Sequence, residues 1–297
     1  MNRGKTTIVV GNGFDVDLGR GTSYKKFIDS IYIKKVTHTP LLEKIISKSE
    51  ISKWIDLELE LRNAIIEWKK TGEKDVYAKE INDTWKILNI KLFEYFFYVV
   101  DNNISKEIET DSCANILLQK VQGKHCIYTF NYFNPYGGDV DNLILKFVHG
   151  EYIHDEFTDY HPAIMSQWHH MGFGIDRVKM ESIVRDNDWL IPLIKKPLIN
   201  LQDILRTSNN IVIFGHSLGI TDSDYFKPVF DDITVAKSPV KHIVIITLNK
   251  ETENAIKIST KSWGIDLEKI NQYVPIKYIH TEKGAQNNVF QTFLDTL

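Results

Sequence analysis

The sequence predicts an α/β fold of the Rossmann-like kind, with a mostly parallel sheet of about six or seven strands and helices on both faces. Two observations favour this class. Short runs rich in β-branched and aromatic residues recur after residue 124, and helix-like stretches separate several of them. Most of these runs end in Gly, His, Asn or Asp, as expected where a strand gives way to a loop.

The first strand is predicted at residues 6–10, which are apolar from Ile8 onward. The sequence Gly11-Asn12-Gly13 then predicts a tight turn. Thr22 or Ser23 is expected to cap a helix that begins near Tyr24, because both side chains carry an oxygen that accepts a backbone N–H.

A helical block follows, from Tyr24 to about Gln119. Within residues 51–70, apolar side chains recur at spacings of three and four, which places them on one face of a helix. Residues 84–104 form a second strongly apolar helical pattern. We therefore expect one α/β domain spanning 1–297, with a helical insertion subdomain at 24–119 after the first strand.

The remaining strands are expected after this block. Each is a short run with β-branched or aromatic residues, and the runs are 125–132, 143–150, 170–176, 210–218, 241–249 and 274–281.

Composition limits the classes of partner. The formal charge of −3 favours neither nucleic acid nor an anionic membrane surface. The two cysteines are typical of a reducing compartment and too few for a Cys-rich zinc site, and the histidine spacing does not suggest a metal either. The apolar run at 8–10 is too short for a signal peptide. We therefore expect a cytoplasmic protein with no metal and no membrane partner.

Open parallel sheets bind ligands at the carboxyl ends of their strands, and several strand ends here carry polar residues or glycines. The glycines at 11 and 13 let backbone N–H groups approach a phosphate or ribose, although a purely structural turn explains them equally well. Asn131 can orient a water or a ribose hydroxyl, or simply form a turn. His149, followed by a glycine, is a candidate general base or a structural histidine.

The segment Gly215-His216-Ser217-Leu218-Gly219 follows an apolar run and fits the Gly-x-Ser-x-Gly nucleophile elbow of serine hydrolases. His280 lies after the last strand, where that fold places its histidine. The preceding strand, however, ends in Leu248-Asn249 without an acid. Residues 221–223 have the character of a helix N-cap, so the helix is expected to begin later than an elbow requires. A serine hydrolase that uses Ser217 is therefore the alternative interpretation.

Taken together, these motifs resemble the AbiH family of bacterial phage-abortive-infection proteins. The most specific part is Gly-Asn-Gly-Phe-Asp at 11–15, with Thr-Ser-Tyr at 22–24 opening a helix. Further marks of the family are Trp54 with Asp56 and Glu58, FNY at 130–132, HG at 149–150, FGID at 173–176 and GHSLGITDSDYF at 215–226. The chain departs from the pattern at Phe133 and Asn134, where the family usually has threonines. The resemblance spans nearly the whole chain and implies a role in defence against phage.

The same pattern is similar, more distantly, to sirtuin-like NAD-binding domains. That similarity implies NAD+ as a ligand or substrate, with Asn131 and His149 as the catalytic pair that cleaves the bond between nicotinamide and ribose. The chain has too few cysteines for the zinc ribbon of sirtuin deacylases, which argues against protein deacylation. The residues implied to bind the nucleotide are Gly11, Asn12, Gly13, Phe14, Asp15, Thr22, Ser23, Gly215, His216, Ser217 and Asp222.

Other classes of function stay open at this point. The chain can be a non-catalytic nucleotide-sensing or interaction module, with 24–119 as the surface that a phage or host protein triggers. Whether it is an enzyme, and whether it forms a homo-oligomer, is left open. A nuclease is less favoured, because Asp56 and Glu58 lie two residues apart and face different sides of a helix.

Overall fold

Six parallel strands form one sheet in the part of the chain that the computed structural model describes, which is residues 4–51, 56–71, 74–96, 110–131, 144–148 and 199–297. Every neighbouring pair is parallel. The strands are β1 (Thr6–Val10), β2 (Cys126–Thr129), β3 (Ile144–Phe147), β4 (Asn210–Phe214), β5 (His242–Thr247) and β6 (Ile276–His280). They lie in the order β3-β2-β1-β4-β5-β6. The predicted Rossmann-like α/β class is confirmed, while the strand predicted at 170–176 lies outside the described residues.

Helices accompany the strands in the same described ranges. The first six are α1 (Asn12–Asp17), α2 (Tyr24–Ile28), α3 (Ile31–Lys34), α4 (Pro40–Ile51), α5 (Leu57–Thr71) and α6 (Lys74–Tyr95). They are followed by α7 (Cys113–Val121), α8 (Leu201–Arg206), α9 (Ser223–Thr234), α10 (Lys250–Ser262), α11 (Leu267–Ile270) and α12 (Asn288–Leu294).

Successive side chains of the central strands point to opposite faces of the sheet, so the core has two layers, one on each face. On one face, Ile211, Ile213, Ile243 and Ile245 are buried against α8, α9, α10 and α11. On the other face, side chains such as Val212 and Phe214 are buried with α1, α7 and α12. Because both faces are covered, the central strands are almost continuously apolar, and this is why their sequence shows no polar alternation.

The described residues divide into two compact units. One contains the sheet and consists of the described residues 4–20, 110–131, 144–148 and 199–297. The other contains α2 to α6, within residues 21–96. Its helices bury apolar side chains such as Phe27, Ile45 and Ile65, and the Tyr95 hydroxyl donates a hydrogen bond of 2.6 Å to the Gly21 carbonyl. The wider insertion inferred from the sequence, 24–119, stays a prediction.

The segment after β1 differs from expectation. The turn predicted at Gly11-Asn12-Gly13 is the start of α1, so a helix begins twelve residues earlier than Tyr24. The sequence does not predict this six-residue helix, because it contains a glycine and two aspartates and is too short to show the apolar periodicity of a helix.

Candidate functional site

The carboxyl ends of β1, β2 and β4 meet at the point where the strand order reverses. From β1 the chain proceeds to β2 and β3 on one side, and from β4 it proceeds to β5 and β6 on the other. Open α/β sheets bind ligands in the crevice at such a switch point, because the connections on either side run in opposite directions and leave space between them. The strand ends therefore define the candidate site.

Glycines let the backbones after β1 and β4 cross in direct contact. The Gly11 N–H donates to the Phe214 carbonyl at 2.9 Å, and the Gly13 N–H donates to the Gly215 carbonyl at 2.8 Å. Gly215 has a φ of +63°, and a Cβ placed on it would lie 2.2 Å from the Phe14 backbone nitrogen. A side chain at 11 or 13 would likewise meet the backbone of 215–216 within 2.9 Å. These contacts require glycine whether or not a ligand approaches.

Asn131 ties the end of β2 to the turn after β1. Its Nδ2 donates to the Gly11 carbonyl at 3.0 Å and to Asp15 Oδ1 at 2.8 Å. Its backbone N–H donates to Thr129 Oγ1 at 3.0 Å. Both side chains are buried, so these hydrogen bonds orient the Asp15 carboxylate and the Asn131 amide with little competition from water.

The remaining polar and aromatic residues of the first motif have distinct environments. Asn12 is exposed, whereas Phe14 is buried and packs edge-to-face on Phe214 with ring centroids 5.1 Å apart. Burial lowers the pKa of the Arg20 guanidinium from its ordinary value, and the Asp15 charge opposes that shift. Phe14 thus anchors α1 to the core, while Asp15 places a negative charge beside the strand ends.

A histidine and an aspartate form a pair after β4. The Leu218 backbone N–H donates to His216 Nδ1 at 2.9 Å. A backbone N–H can only donate, so Nδ1 carries no proton and the neutral ring holds its proton on Nε2. That Nε2 lies 3.4 Å from Asp222 Oδ2. The buried ring also packs edge-to-face on Phe130, with centroids 4.3 Å apart, which joins the ends of β2 and β4.

The expectation that residues 221–223 cap a helix is only half correct. The helix α9 does begin at Ser223, but the Asp222 side chain makes no capping hydrogen bond to it and faces His216 instead. Ser223 Oγ donates backward to the Ile220 carbonyl at 2.7 Å. The sequence showed the helix start correctly but could not show that Asp222 has a partner six residues away.

Ser217 does not have the geometry of a nucleophile elbow. Its side chain is exposed. In a nucleophile elbow the serine itself has the strained backbone conformation, whereas here the residues with positive φ are Gly215 and Leu218. Leu218 has a φ of +49°, which costs a non-glycine residue about 1–2 kcal/mol. The helix begins six residues after Ser217 instead of directly behind it.

The structure reveals an acid–histidine pair that sequence reasoning missed. His280, at the end of β6, lies with Nε2 3.0 Å from Oε2 of Glu253 in the first turn of α10. Asn249, two residues after the end of β5, instead caps α10 by accepting the Thr252 N–H at 3.0 Å. An acid six residues beyond the strand end gives no signal in the sequence, because charged side chains in a first helical turn are usually exposed.

Because of Glu253, the free energy of unfolding of the sheet unit should decrease as the pH falls into the acidic range. Burial alone would raise the pKa of this carboxyl, but hydrogen bonds from Lys250, Lys257 and His280 outweigh it and hold the pKa at about 2, below the ordinary value of 4.5. The folded pKa is the lower one, so the stabilisation is present above pH 4.5 and is lost as the pH falls toward 2.

We therefore expect Glu253→Gln to lower the free energy of unfolding at pH 7 by on the order of 3 kcal/mol. The difference between wild type and variant should shrink between pH 4.5 and 2. Urea unfolding at a series of pH values measures it. A difference that stays constant over that range would show that the charge of Glu253 does not provide the stabilisation.

The remaining predicted site residues are Thr22, Ser23 and His149. Thr22 and Ser23 belong to the second unit, where Ser23 Oγ accepts the Lys26 N–H at 3.2 Å and caps α2, as expected. His149 lies outside the described residues, although Val148 before it donates its N–H to the Thr129 carbonyl at 2.8 Å. Their roles in binding or catalysis stay predictions.

The described residues contain neither a metal-binding cluster nor a membrane-spanning helix. No group of three or more His, Cys, Asp or Glu in those ranges is placed to hold a metal ion. Nor does any helix within them combine the length and the apolar character needed to cross a bilayer.

The sequence matches a known protein family. A family model described as bacteriophage abortive infection AbiH matches residues 7–244, which include the turn after β1, Asn131 and the pair of His216 and Asp222. A comparison with curated proteins finds no significant match.

Proposed function

The chain belongs to the AbiH family of bacteriophage abortive infection proteins, and we propose that its part in this defence is to bind NAD+ at the carboxyl ends of β1, β2 and β4 and to cleave it. The AbiH family supports anti-phage defence as the role of the chain. The choice of NAD+ is our inference from the distant resemblance to sirtuin-like domains, and the strand order at the site supports it.

The observation that carries the proposal is the convergence of three strand ends at the switch point. Asn131 from β2 bonds both to Gly11 after β1 and to Asp15, and the ring of His216 after β4 packs on Phe130 beside Asn131. The strand order is the one that binds dinucleotides across the same crevice in doubly wound sheets. Carboxylate, amide and imidazole groups suit the ribose hydroxyls of such a ligand, because each forms directional hydrogen bonds with O–H groups.

The glycines after β1 do not contribute to the proposed site by donating backbone N–H groups to a phosphate. The Gly13 N–H already donates to the Gly215 carbonyl, so it is not available for a phosphate oxygen unless that bond opens. In our proposal the glycines bring the two strand ends close enough for the polar side chains to share one ligand. Asn12 and Ser217, whose side chains are exposed, are the residues of these turns that contact the ligand from outside.

Cleavage would proceed by attack of water on the ribose carbon that carries nicotinamide. The carbon–nitrogen bond breaks toward an oxocarbenium-like state, nicotinamide leaves as a neutral base, and the water loses its proton. In this proposal the Asp15 carboxylate, which accepts a hydrogen bond of 2.8 Å from Asn131, would stabilise the developing positive charge. Asn131 would orient the water or the ribose, and His149 is the proposed base, a role typically worth about 10²–10⁴ in rate.

The test is the NAD+ content of bacteria that express the protein during phage infection. We expect NAD+ to fall and ADP-ribose and nicotinamide to rise with the wild-type protein, and no change with Asn131→Ala. Asn210→Ala is the matched control, because Asn210 is 8 % exposed against 7 % for Asn131 but lies at the opposite end of the sheet. Protection against phage with constant NAD+ in all strains would refute cleavage.

Ser217→Ala distinguishes nucleotide binding from the hydrolase alternative. We expect affinity for NAD+ to fall about threefold to tenfold, as for the loss of one hydrogen bond, with little change in stability because the side chain is exposed. A fluorophosphonate probe should not label the wild-type protein at Ser217. Covalent labelling there, abolished by Ser217→Ala, would instead establish a serine nucleophile.

A further inference from the structure

The backbone of Leu218 is held on both sides, by a side chain of its own turn at the N–H and by two side chains from a distant segment at the carbonyl. Leu218 is buried and has a φ of +49°. Its N–H donates to His216 Nδ1 at 2.9 Å. Its carbonyl accepts two hydrogen bonds from α10 and the residue after it, from Ser259 Oγ at 2.9 Å and from Trp263 Nε1 at 3.1 Å.

Ordinary core packing does not require this arrangement. Two side-chain donors more than forty residues away in sequence converge on one loop carbonyl. A leucine rarely adopts positive φ, and backbone conformations of this kind persist only where the surroundings hold them, often at functional sites. The neighbours of Leu218 are Ser217, which is exposed, and the turn that carries His216.

We propose that Ser259 and Trp263 are positioning residues of the nucleotide site, which we call the Leu218 clamp. The Leu218 carbonyl and the Leu218 N–H belong to adjacent peptide planes that meet at Leu218 Cα. By holding the carbonyl, the clamp restrains the φ and ψ of Leu218 and through them the direction of the N–H. That N–H keeps the His216 proton on Nε2, facing Asp222, and sets where Ser217 presents its hydroxyl. The inference rests on the proposed function, since it assigns these residues to the binding of the same ligand.

The experiment uses the double variant Ser259→Ala/Trp263→Phe. Phenylalanine removes the indole N–H but keeps an aromatic ring against Phe230, on which Trp263 stacks with centroids 6.3 Å apart. Ser262→Ala is the matched control, because Ser262 Oγ bonds to the Ser259 carbonyl and not to Leu218. Two properties are measured on the full-length protein, the ¹⁵N chemical shifts of the His216 ring and the Kd for NAD+.

In the wild type and in Ser262→Ala we expect the His216 signals of one tautomer, with the proton on Nε2. In the double variant we expect averaging toward both tautomers and a Kd for NAD+ at least about tenfold higher, the effect of losing two hydrogen bonds that order the loop. If Ser259 and Trp263 only stabilise the fold, the double variant should be less stable, but its folded fraction should keep the tautomer of His216 and the affinity for NAD+ of the wild type.

The outcomes separate this inference from the function on which it rests. Unchanged His216 signals in the double variant overturn the clamp, whatever the affinity. Changed signals with an unchanged Kd overturn its positioning role. If the wild type does not bind NAD+, the proposed function fails, and the His216 signals alone then decide whether the clamp controls the tautomer.

Discussion

Replacing Gly215 with alanine is expected to lower the free energy of unfolding of the sheet unit by about 4 kcal/mol or more. The new Cβ would lie 2.2 Å from the Phe14 nitrogen and 2.4 Å from the Gly13 carbonyl carbon. Both atoms belong to the backbone, so neither can rotate away as a flexible side chain would. The crossing of the turns after β1 and β4 has to open, which also weakens the hydrogen bond from Gly13 to Gly215.

Gly264→Ala is the control for this substitution. Gly264 also has a positive φ, +91°, just after the end of α10, but no atom in the described part of the chain lies within 4 Å of a Cβ placed there, apart from its immediate neighbours. Its replacement should cost only the backbone strain of about 1–2 kcal/mol. Urea unfolding of both variants measures the difference. Equal losses of stability at the two positions would show that the close crossing at Gly215 does not constrain the fold.

Asn131→Ala is expected to abolish the binding of NAD+ and to lower the free energy of unfolding by about 3 kcal/mol. The substitution removes the amide that donates to Asp15 Oδ1 and to the Gly11 carbonyl. A buried carboxylate that loses a donor is costly, because water cannot replace the lost bond without entering the core. It also releases the carboxylate that the proposed site holds in place.

Loss of binding by Asn131→Ala has to be separated from loss of folding. Asn210→Ala removes a similarly buried amide, which donates to Thr6 Oγ1 at 3.2 Å at the amino end of β4. We expect this control to be less stable than the wild type but to bind NAD+ normally. Circular dichroism at the temperature of the binding experiment shows that each variant is folded. Unaltered affinity in folded Asn131→Ala would contradict the role given to this residue.

The strands could be predicted from sequence because their signal is local. Runs such as IVIF at 211–214 and IVIIT at 243–247 are buried on both faces, and burial of that kind leaves a continuous apolar pattern. The ends of these strands were also visible, since a glycine or polar residue interrupts each run. This is why Asn131 and the Gly215 segment were found before the structure was known.

The partners of those residues could not be predicted, because they depend on contacts between distant segments. Asn131 meets Asp15 across 116 residues, and His280 meets Glu253 across 27. Nothing in the sequence near Leu218 shows that its carbonyl accepts bonds from Ser259 and Trp263. The sequence leaves a ligand and a structural turn equally open for the glycines after β1, and the structure explains these glycines through the crossing with Gly215 whether or not a ligand approaches.

The most direct test of the proposed function is a calorimetric titration of the purified, full-length protein with NAD+. We expect saturable binding at one site in the wild type and in Asn210→Ala, weaker binding in Ser217→Ala, and none in folded Asn131→Ala. This pattern would assign the ligand to the carboxyl ends of β1, β2 and β4. A wild-type protein that gives no binding heat, or an Asn131→Ala variant that binds as tightly as the wild type, would contradict a nucleotide site at these strand ends.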